Sequence, residues 1–202
     1  MGFQIAKDEF KILDIKRLTY KNYVENMGWT PELDNPSHFR IVDAPEGPYL
    51  DDDFALRSTY FGYFQSGKLV AGGRFIIGQI HEIEVSRYLK TGLPNYGPIT
   101  LAEVNRLCLT KEILNTPILP ILFVEILNHL AQHKLCDRAL TTVAFPNPGE
   151  LFCKLGFDRD SEPFRYGKND FEPVSAVSLD LGDSEKLKKL KNVIGNLYGT
   201  RI

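Results

Sequence analysis

The chain has 202 residues, of which 43% are hydrophobic and 25% are charged, as in ordinary globular proteins and unlike disordered ones. Its 24 basic and 26 acidic side chains nearly balance, so no global field attracts nucleic acid or an anionic membrane. No apolar run reaches the roughly 18 residues that a membrane span needs. Three widely spaced cysteines without a CxxC motif, and an N-terminus without a signal-peptide core, predict a reduced, cytoplasmic protein.

The predicted elements alternate between helices and strands. Residues 8–27 carry apolar groups at helical spacing and end at Gly28, which predicts an amphipathic helix. The proline-rich residues 28–54 predict a long loop, and loops of that length are usually functional. Two β-rich runs within 57–78 flank Ser66-Gly67, which is a hairpin signal.

The rest of the chain continues this alternation, and its order predicts one mixed-sheet α/β or α+β domain over residues 1–202. The further predicted elements are a short helix at 84–92, a strand at 99–109, a helix at 117–134, a strand at 138–145, a short helix at 148–155, a strand at 174–181 and a polar helix at 184–197.

The predicted strand in 101-LAEVNRLCLT-110 holds one acid and one base, Glu103 and Arg106, in an otherwise apolar run. Unlike charges in a half-buried segment are costly to hold. Residues i and i+3 of a strand point to opposite faces, so these two do not simply pair. One interpretation is an edge strand with solvated charges. The apolar character of the strand favours the other, a strand that opens on a polar cleft.

Two further charged positions are candidates for a site. Arg74 follows Gly72-Gly73, and two glycines inside a strand indicate a bulge or a close backbone approach. An arginine there can clamp a carboxylate or phosphate, or pair structurally with Glu103 or an aspartate, and both can hold at once. The run Asp51-Asp52-Asp53 is typical of a solvated loop, and alternatively supplies carboxylates that bind a substrate ammonium.

No pattern indicates a metal site or a cysteine nucleophile. His129 and His133 are one helical turn apart without an evident third ligand, which is typical of an ordinary helix surface. Cys108 and Cys153 fall in apolar patterns and are predicted to be small core residues. The sequence has no G-x-S-x-G, P-loop or G-x-G-x-x-G motif, so we expect no tightly bound cofactor.

Two stretches resemble the GNAT acyltransferase superfamily. The stretch 60-YFGYFQSGKLVAGGRFI-76 is similar to its central hairpin, and 148-PGELFCKLGFD-158 is similar to its late helix and the strand entry that follows. The resemblance implies a GNAT-like mixed, largely antiparallel central sheet that is flanked by helices and has splayed central strands.

Within that superfamily, an ordered set of residues resembles the acyl-homoserine-lactone (autoinducer) synthases and the related N-acyl amino acid synthases. The set is Trp29, the acids Asp51 to Asp53, Arg74 and the Glu103-x-x-Arg106 motif. The resemblance implies acyl transfer from a thioester, on acyl carrier protein or coenzyme A, to the amine of a small acceptor. S-adenosylmethionine and an amino acid are both implied as acceptors.

The sequence departs from these families at identifiable positions. Thr19 stands where the synthases carry an arginine, and no tryptophan precedes Glu103. Ordinary GNAT acetyltransferases hold the coenzyme A pyrophosphate on a glycine-rich loop, whereas the matching 115-NTPILP-120 has no glycine. This departure argues against ordinary acetyl-CoA chemistry and fits a donor on acyl carrier protein.

The resemblance also implies roles for the acceptor side of the site. Glu103 would take the proton of the attacking amine. Arg74 and Arg106 would hold the acids or bind a substrate carboxylate. Asp51 and Asp53 would attract the acceptor ammonium. Trp29 would be the apolar anchor for the acceptor, and Thr142 matches the position that reads the oxidation state of the acyl chain.

On the donor side, backbone groups of Leu107, Cys108 and Leu109 would bind the pantetheine arm, and Phe145 would line an acyl tunnel. An acidic carrier protein would need a basic patch, for which Lys134 with Arg138, or Lys154 with Arg159, are candidates. Two alternatives stay open at this point. They are a generic acetyl-CoA-dependent acetyltransferase and a non-catalytic domain of the same fold that binds a carrier protein or a small ligand.

Overall fold

The computed structural model describes residues 2–114, 116–167 and 172–198. The chain divides into two compact units. The first unit comprises residues 1–75 and 105–122, and the second comprises residues 76–104 and 123–202. That the whole chain forms one domain stays a prediction. Among the described residues, no helix has both the length and the apolar character that crossing a bilayer requires.

The described strands form a seven-stranded sheet in the order β1-β4-β5-β6-β7-β9-β8 and a separate hairpin of β2 and β3. Pairing is antiparallel for β1 with β4, β7 with β9 and β8 with β9, and parallel for β6 with β7. The predicted mixed, largely antiparallel sheet is confirmed. The elements are β1 (Gly2–Ile5), α1 (Glu9–Tyr20), β2 (Arg40–Val42), β3 (Tyr49–Asp51), β4 (Ser58–Gln65), β5 (Lys68–Gly78), β6 (Leu101–Leu109), α2 (Ile118–Gln132), β7 (Arg138–Ala144), α3 (Gly149–Lys154), β8 (Asp158–Arg159), β9 (Val174–Asp180) and α4 (Ser184–Tyr198).

The first predicted helix begins at an N-cap. The carboxylate of Asp8 accepts a hydrogen bond from the backbone N–H of Lys11 at 2.8 Å, which satisfies one of the donors exposed at a helix start. α1 buries Ile15 in a core with Ala6 and Tyr60. The helix continues as a π-helical segment, Lys21–Asn26, and Gly28 follows with φ +70°. The predicted helix over 8–27 is therefore confirmed, with a π-helical last turn.

The hairpin prediction is also confirmed. Ser66 and Gly67 connect β4 to β5 with φ of +50° and +78°, the positive values that tight hairpin turns need. The structure of residues 28–54 differs from the predicted long loop. It contains the hairpin of β2 and β3, in which Ile41 pairs with Leu50. Strands of three residues are too short to show a periodic pattern. β1, which pairs with β4, has four residues and was not predicted for a similar reason.

In the second unit, the first half of β6 forms a short parallel ladder with β7. It runs from Leu101 opposite Arg138 to Glu103 opposite Leu140, although β6 itself has nine residues. So short a ladder is what splayed central strands require. A core cluster of this unit contains Ile83 and Val85 together with Leu101 of β6 and Leu140 of β7. The helix predicted at 84–92 is reduced to a 3-10 turn, Glu84–Arg87.

Candidate active site

A buried ion pair in the first unit joins β5 to the residue that follows β3. The side chains of Arg74 and Asp52 are each 3% exposed. Arg74 Nη1 donates to Asp52 Oδ1 at 2.8 Å, and Arg74 Nη2 lies 2.7 Å from Asp52 Oδ2, which is a bidentate fork. Arg74 Nε donates to Asn105 Oδ1 at 2.8 Å, and Asp52 Oδ1 also accepts the Phe54 N–H at 2.9 Å. Both partners are thus fixed in orientation.

The cations around Asp52 determine its charge. Burial on its own would raise the pKa of Asp52, but the charges of Arg74 and Arg106 and the hydrogen bonds from Arg74 and the Phe54 N–H outweigh burial and lower that pKa below 3.8. Asp52 is therefore ionised at neutral pH and is a poor proton acceptor. Its chemistry suits it to holding the two arginines.

Arg106 adopts an unusual backbone conformation. Its φ is +55°, in the left-handed region that favours glycine, although it lies within a strand. Its guanidinium carbon lies 3.8 Å from the centre of the Phe39 ring, and its Nη2 lies 3.7 Å from Asp52 Oδ2. Trp29 packs edge-on against the same Phe39 ring, with centroids 4.6 Å apart. Such backbone strain persists where surrounding contacts fix a residue, and it is concentrated at functional sites.

Lys16, on α1, brings a third cation to the same region. Its Nζ lies 2.7 Å from Asp51 Oδ1 and 5.5 and 5.7 Å from the ring centres of Tyr49 and Tyr60. The other Asp51 oxygen, Oδ2, accepts from Arg40 Nη2 at 2.6 Å. Asp51 is thus held by two cations at once.

These groups line one pocket of the first unit. The pocket is shallow, and the empty space of about 230 Å³ beside these groups includes open solvent. Its charged lining consists of three cations and one carboxylate, and one of the cations, Lys16, is also paired with Asp51 just outside the lining. Apolar and aromatic side chains complete the walls. The lining residues are Lys16, Thr19, Phe39, Leu50, Asp52, Tyr60, Arg74 and Arg106.

The acidic run divides among three environments. Asp51 pairs with Lys16 and Arg40, and Asp53 Oδ2 lies 2.8 Å from Nδ1 of the exposed His38. The acid that contacts Arg74 and Arg106 is the middle one, Asp52, whereas the predicted substrate-binding acids were its two neighbours, Asp51 and Asp53. A signal was present: Leu50 and Phe54, each two residues from Asp52, are apolar, and all three are buried.

Glu103 belongs to the second unit. It is fully buried, and its Oε2 accepts the backbone N–H of Val85 at 3.0 Å. β6 lies between β5 and β7 in the sheet order, so the interpretation of Glu103 and Arg106 as solvated charges on an edge strand is wrong. The boundary between the two units falls between Val104 and Asn105, within β6. The role of Glu103 as a base stays a prediction.

The predicted donor-binding backbone already has partners. The Leu107 carbonyl accepts from the Tyr23 hydroxyl at 3.3 Å. Leu109 accepts from Asn22 Nδ2 at 2.9 Å and donates to Asn22 Oδ1 at 3.2 Å. A pantetheine arm would have to replace these bonds, and the donor roles of Leu107, Cys108 and Leu109 stay predictions.

The cysteines have different environments. Cys108 is fully buried, as predicted, and burial raises the pKa of its thiol to about 12, so it is protonated at neutral pH. The prediction of a core position for Cys153 is wrong, because its side chain on the short helix α3 is exposed. Among the described residues, no three His, Cys, Asp or Glu side chains form a group that could hold a metal ion.

The remaining candidates lie in the second unit. Thr142 Oγ1 is 3.3 Å from the Tyr166 hydroxyl, and the Tyr166 ring packs edge-on against Tyr88 at 4.6 Å. The guanidinium of Arg159 lies 4.2 Å from the ring centre of Phe145. The roles of Thr142 and Phe145 stay predictions. Asn115, the first residue of the segment compared with the GNAT pyrophosphate loop, lies outside the described residues.

The sequence matches no protein-family model and no curated protein. Solved structures do match. MesI, a CoA-dependent acyl-homoserine lactone synthase, is 18% identical with a TM-score of 0.66, over 92% of this chain and 89% of MesI. BjaI, a CoA-dependent acyl-homoserine lactone synthase solved with S-adenosylmethionine and isopentyl-CoA, is 15% identical with a TM-score of 0.64, over 93% of this chain and 83% of BjaI.

A third match is FeeM, an N-acyl amino acid synthase from uncultured soil microbes. It is 17% identical with a TM-score of 0.58, over 90% of this chain and 91% of FeeM. At these identities the likeness is one of fold. The chain therefore has the GNAT-like fold of acyl-homoserine-lactone and N-acyl amino acid synthases, as the sequence resemblance predicted.

Proposed function

We propose that this chain is an N-acyltransferase that moves an acyl group from the thioester of coenzyme A or acyl carrier protein to the amine of a small, amino-acid-like acceptor. The observation that carries the proposal is the pocket of the first unit, where Arg74 and Arg106 flank the ionised Asp52. The fold supports it. Of the proteins that share the fold, BjaI was solved with both an amine, S-adenosylmethionine, and a thioester, isopentyl-CoA.

The pocket suits an acceptor that carries its own charged groups. Arginine and lysine side chains that are already oriented by hydrogen bonds can bind a substrate carboxylate without first being ordered. Phe39 and the edge-on Trp29 hold the guanidinium of Arg106 in place. Binding of the acceptor would bring an amine to a fixed position in a partly dry site.

The amine must lose a proton before it attacks. In the proposed reaction, Glu103 takes that proton, and the amine nitrogen then forms a bond to the thioester carbonyl carbon. The carbon–sulfur bond breaks, and the thiol leaves with a proton as the amide forms. Asp52 is unsuited to the base role because its pKa is lowered, whereas Glu103 is buried and accepts the Val85 N–H, which fixes the orientation of its carboxylate.

Mass spectrometry of organic extracts from cells that express the wild type or Glu103→Gln tests the proposal. Loss of a general base typically lowers a rate by about 100-fold or more. We expect an N-acylated amine in the wild-type extract and about 100-fold less of it with Glu103→Gln. Glu112→Gln, the same change at an exposed glutamate, is the matched control and should leave the product unchanged.

Two results would contradict the account at different points. Equal product from the wild type and Glu103→Gln would remove Glu103 from the base role. No acylated amine from the wild type would remove the acyl-transfer function itself. The thermal midpoint of each purified variant shows whether a loss of product reflects loss of the fold.

A further inference from the structure

Two histidines at the end of α2 lie side by side, and neither of them lines the pocket of the first unit. His129 is in the last turn of the helix, and His133 follows the helix directly. The His133 N–H donates to the His129 carbonyl at 3.1 Å, so the helical hydrogen-bond pattern includes both residues. Residues four apart in that pattern lie on one face, which is the spacing of the histidine pair in helical zinc-binding motifs.

The separation of the two rings fits a shared metal ion. Their centres are 4.6 Å apart, and their planes are inclined at 56°. A metal that is bonded to one nitrogen of each ring at about 2.0–2.1 Å, with roughly 90–110° between the bonds, places the ring centres roughly 4.5–5 Å apart. Chelation at this position therefore needs rotation of the rings at most, and no movement of the backbone.

The environment of His129 disfavours its protonated form. Burial lowers the pKa of His129 below 6.5, and the charge of His133 lowers that pKa further. At pH 7 the His129 ring is therefore neutral, and neutral imidazole is the form that binds metals. Protons on both rings would bring two charges together, whereas one ion that is shared by both rings avoids that repulsion.

The end of α2 favours a cation at this position. The helix closes with Lys134 at φ +50° and with the Leu135 N–H donating to the Leu130 carbonyl at 3.0 Å, a pattern typical of a Schellman C-cap. This closure fixes the backbone that carries the two histidines. The C-terminal end of a helix carries partial negative charge and stabilises cations. Within four residues of the pair in sequence, the two acids Glu125 and Asp137 exceed the one base, Lys134.

We propose that His129 and His133 bind one divalent transition-metal ion, of the class of Zn²⁺, Cu²⁺ and Ni²⁺, with water in the remaining coordination positions. Imidazole nitrogen suits these ions, whereas Mg²⁺ and Ca²⁺ prefer oxygen ligands. Among the residues that the structure describes, no third His, Cys, Asp or Glu side chain completes the group. The site is therefore weaker than a structural zinc site with four protein ligands. It does not depend on the acyl transfer proposed above.

Titration of the purified full chain, without an affinity tag, with zinc chloride at pH 7.5 tests the proposal. Every protein in the series carries Cys153→Ser, which removes an exposed thiol that binds zinc in its own right. We expect one ion per chain with a Kd on the order of 1–100 μM, since two ligands give less affinity than three or four. Because zinc binds the folded chain, it should also raise the thermal midpoint.

His129→Asn and His133→Asn should each weaken zinc binding by at least about tenfold, because even the loss of an outer-shell partner costs roughly 10–100-fold in metal affinity. His81→Asn, the same change at an exposed histidine outside α2, should leave binding unchanged. The double variant His133→Asn, Lys134→His keeps the number of histidines but moves the second ring off the shared face. It should bind zinc as weakly as His133→Asn.

Copper(II) gives a signature that a merely structural role would not change. Electron paramagnetic resonance of the copper-loaded parent chain should show hyperfine coupling to two imidazole nitrogens, and each single variant of the pair should show one at most. The proposal is overturned if zinc shows no saturable binding below about 1 mM. It is also overturned if His129→Asn, His133→Asn or the double variant keeps the affinity of the parent chain. Circular dichroism verifies that each variant is folded, so that a loss of binding reflects the site.

Discussion

Asp52 in the first unit and Asp160 in the second are both acids withdrawn from water, and their pKa values shift in opposite directions. Two guanidinium groups lower the pKa of Asp52 despite its burial. Burial raises the pKa of Asp160, and the charge of Asp158 adds to that effect. The charge of Arg138 lowers the pKa of Asp160 only in part, and Arg138 Nη1 already donates to Asp158 at 2.9 Å and to Ser178 at 2.6 Å.

The difference shows that burial of an acid does not mark a site. Around Asp160, hydrogen bonding to Ser178 opposes the effect of burial without cancelling it, and the Oδ2 atom has no hydrogen-bond partner within the part of the chain that the structure describes. Around Asp52, cations exceed acids and border an open pocket. A binding site needs an excess of oriented charge beside a space for a ligand. Of these two regions, only the surroundings of Asp52 combine such charge with such a space.

The largest expected effect is on stability when Asp52 loses its partner. Arg74→Met leaves a buried carboxylate without its bidentate partner, which typically costs about 3–5 kcal/mol. Arg138→Met is the matched change beside Asp160. It should cost about 1 kcal/mol or less through the Arg138–Asp158 pair, because Asp158 is 49% exposed. Urea unfolding at pH 7 gives both free energies, and equal losses would contradict the distinction between the two regions.

A smaller effect is expected at the ring beneath Arg106. Phe39→Leu keeps an apolar side chain but removes the aromatic face, so the free energy of unfolding should fall by about 1–2 kcal/mol. A double-mutant cycle with Arg106→Met isolates the interaction between ring and guanidinium, for which we expect about 0.5–2 kcal/mol. Additive losses in the cycle would show that the stacking contributes nothing.

The smallest expected effect is a gain in stability, from removing the charge of Asp160. The folded-state pKa of Asp160 is raised above 3.8, so its contribution to stability is full below about pH 3.8 and is lost as the pH rises through the folded-state value. Asp160→Asn should therefore gain stability relative to the wild type between pH 4 and pH 7. Water screens the partly exposed carboxylate, so the gain should stay below about 1 kcal/mol.

The stability contribution of Asp52 depends on pH in the opposite direction to that of Asp160. Its folded-state pKa is lowered, so its stabilisation is present above pH 3.8 and is lost as the pH falls towards the folded-state value. Unfolding free energies of the wild type and Asp160→Asn at pH 4 and pH 7 separate the two acids. A constant difference between the two proteins across that range would contradict the raised pKa of Asp160.

Elements with strong local signals were predictable from the sequence. The turn at Ser66-Gly67 and the helix that ends before Gly28 depend on conformations that few residues adopt. The hairpin of β2 and β3 was not predicted, because its strands have three residues each and Leu50 is buried by tertiary packing.

The candidate site was predicted only in part. Arg74 and Arg106 are exceptional locally, one after two glycines and one within an apolar strand, so the sequence indicated both. Asp52 had a signal only in its alternation with Leu50 and Phe54, and its partner Arg74 lies 22 residues away in the chain. Lys16 depends on a contact between distant segments, since its partner Asp51 lies 35 residues away. A charged residue on an amphipathic helix looks the same in sequence whether it faces solvent or a pocket.

The most direct test of the central claim is thiol release by the purified chain from octanoyl-CoA and octanoyl-loaded acyl carrier protein, with and without a mixture of amino acids and S-adenosylmethionine. We expect release that requires an amine from this mixture, yields an equal amount of the N-octanoylated amine, and is lost in Glu103→Gln. No release from either donor, or release at the same rate without an amine, would contradict the claim that this pocket serves amide formation.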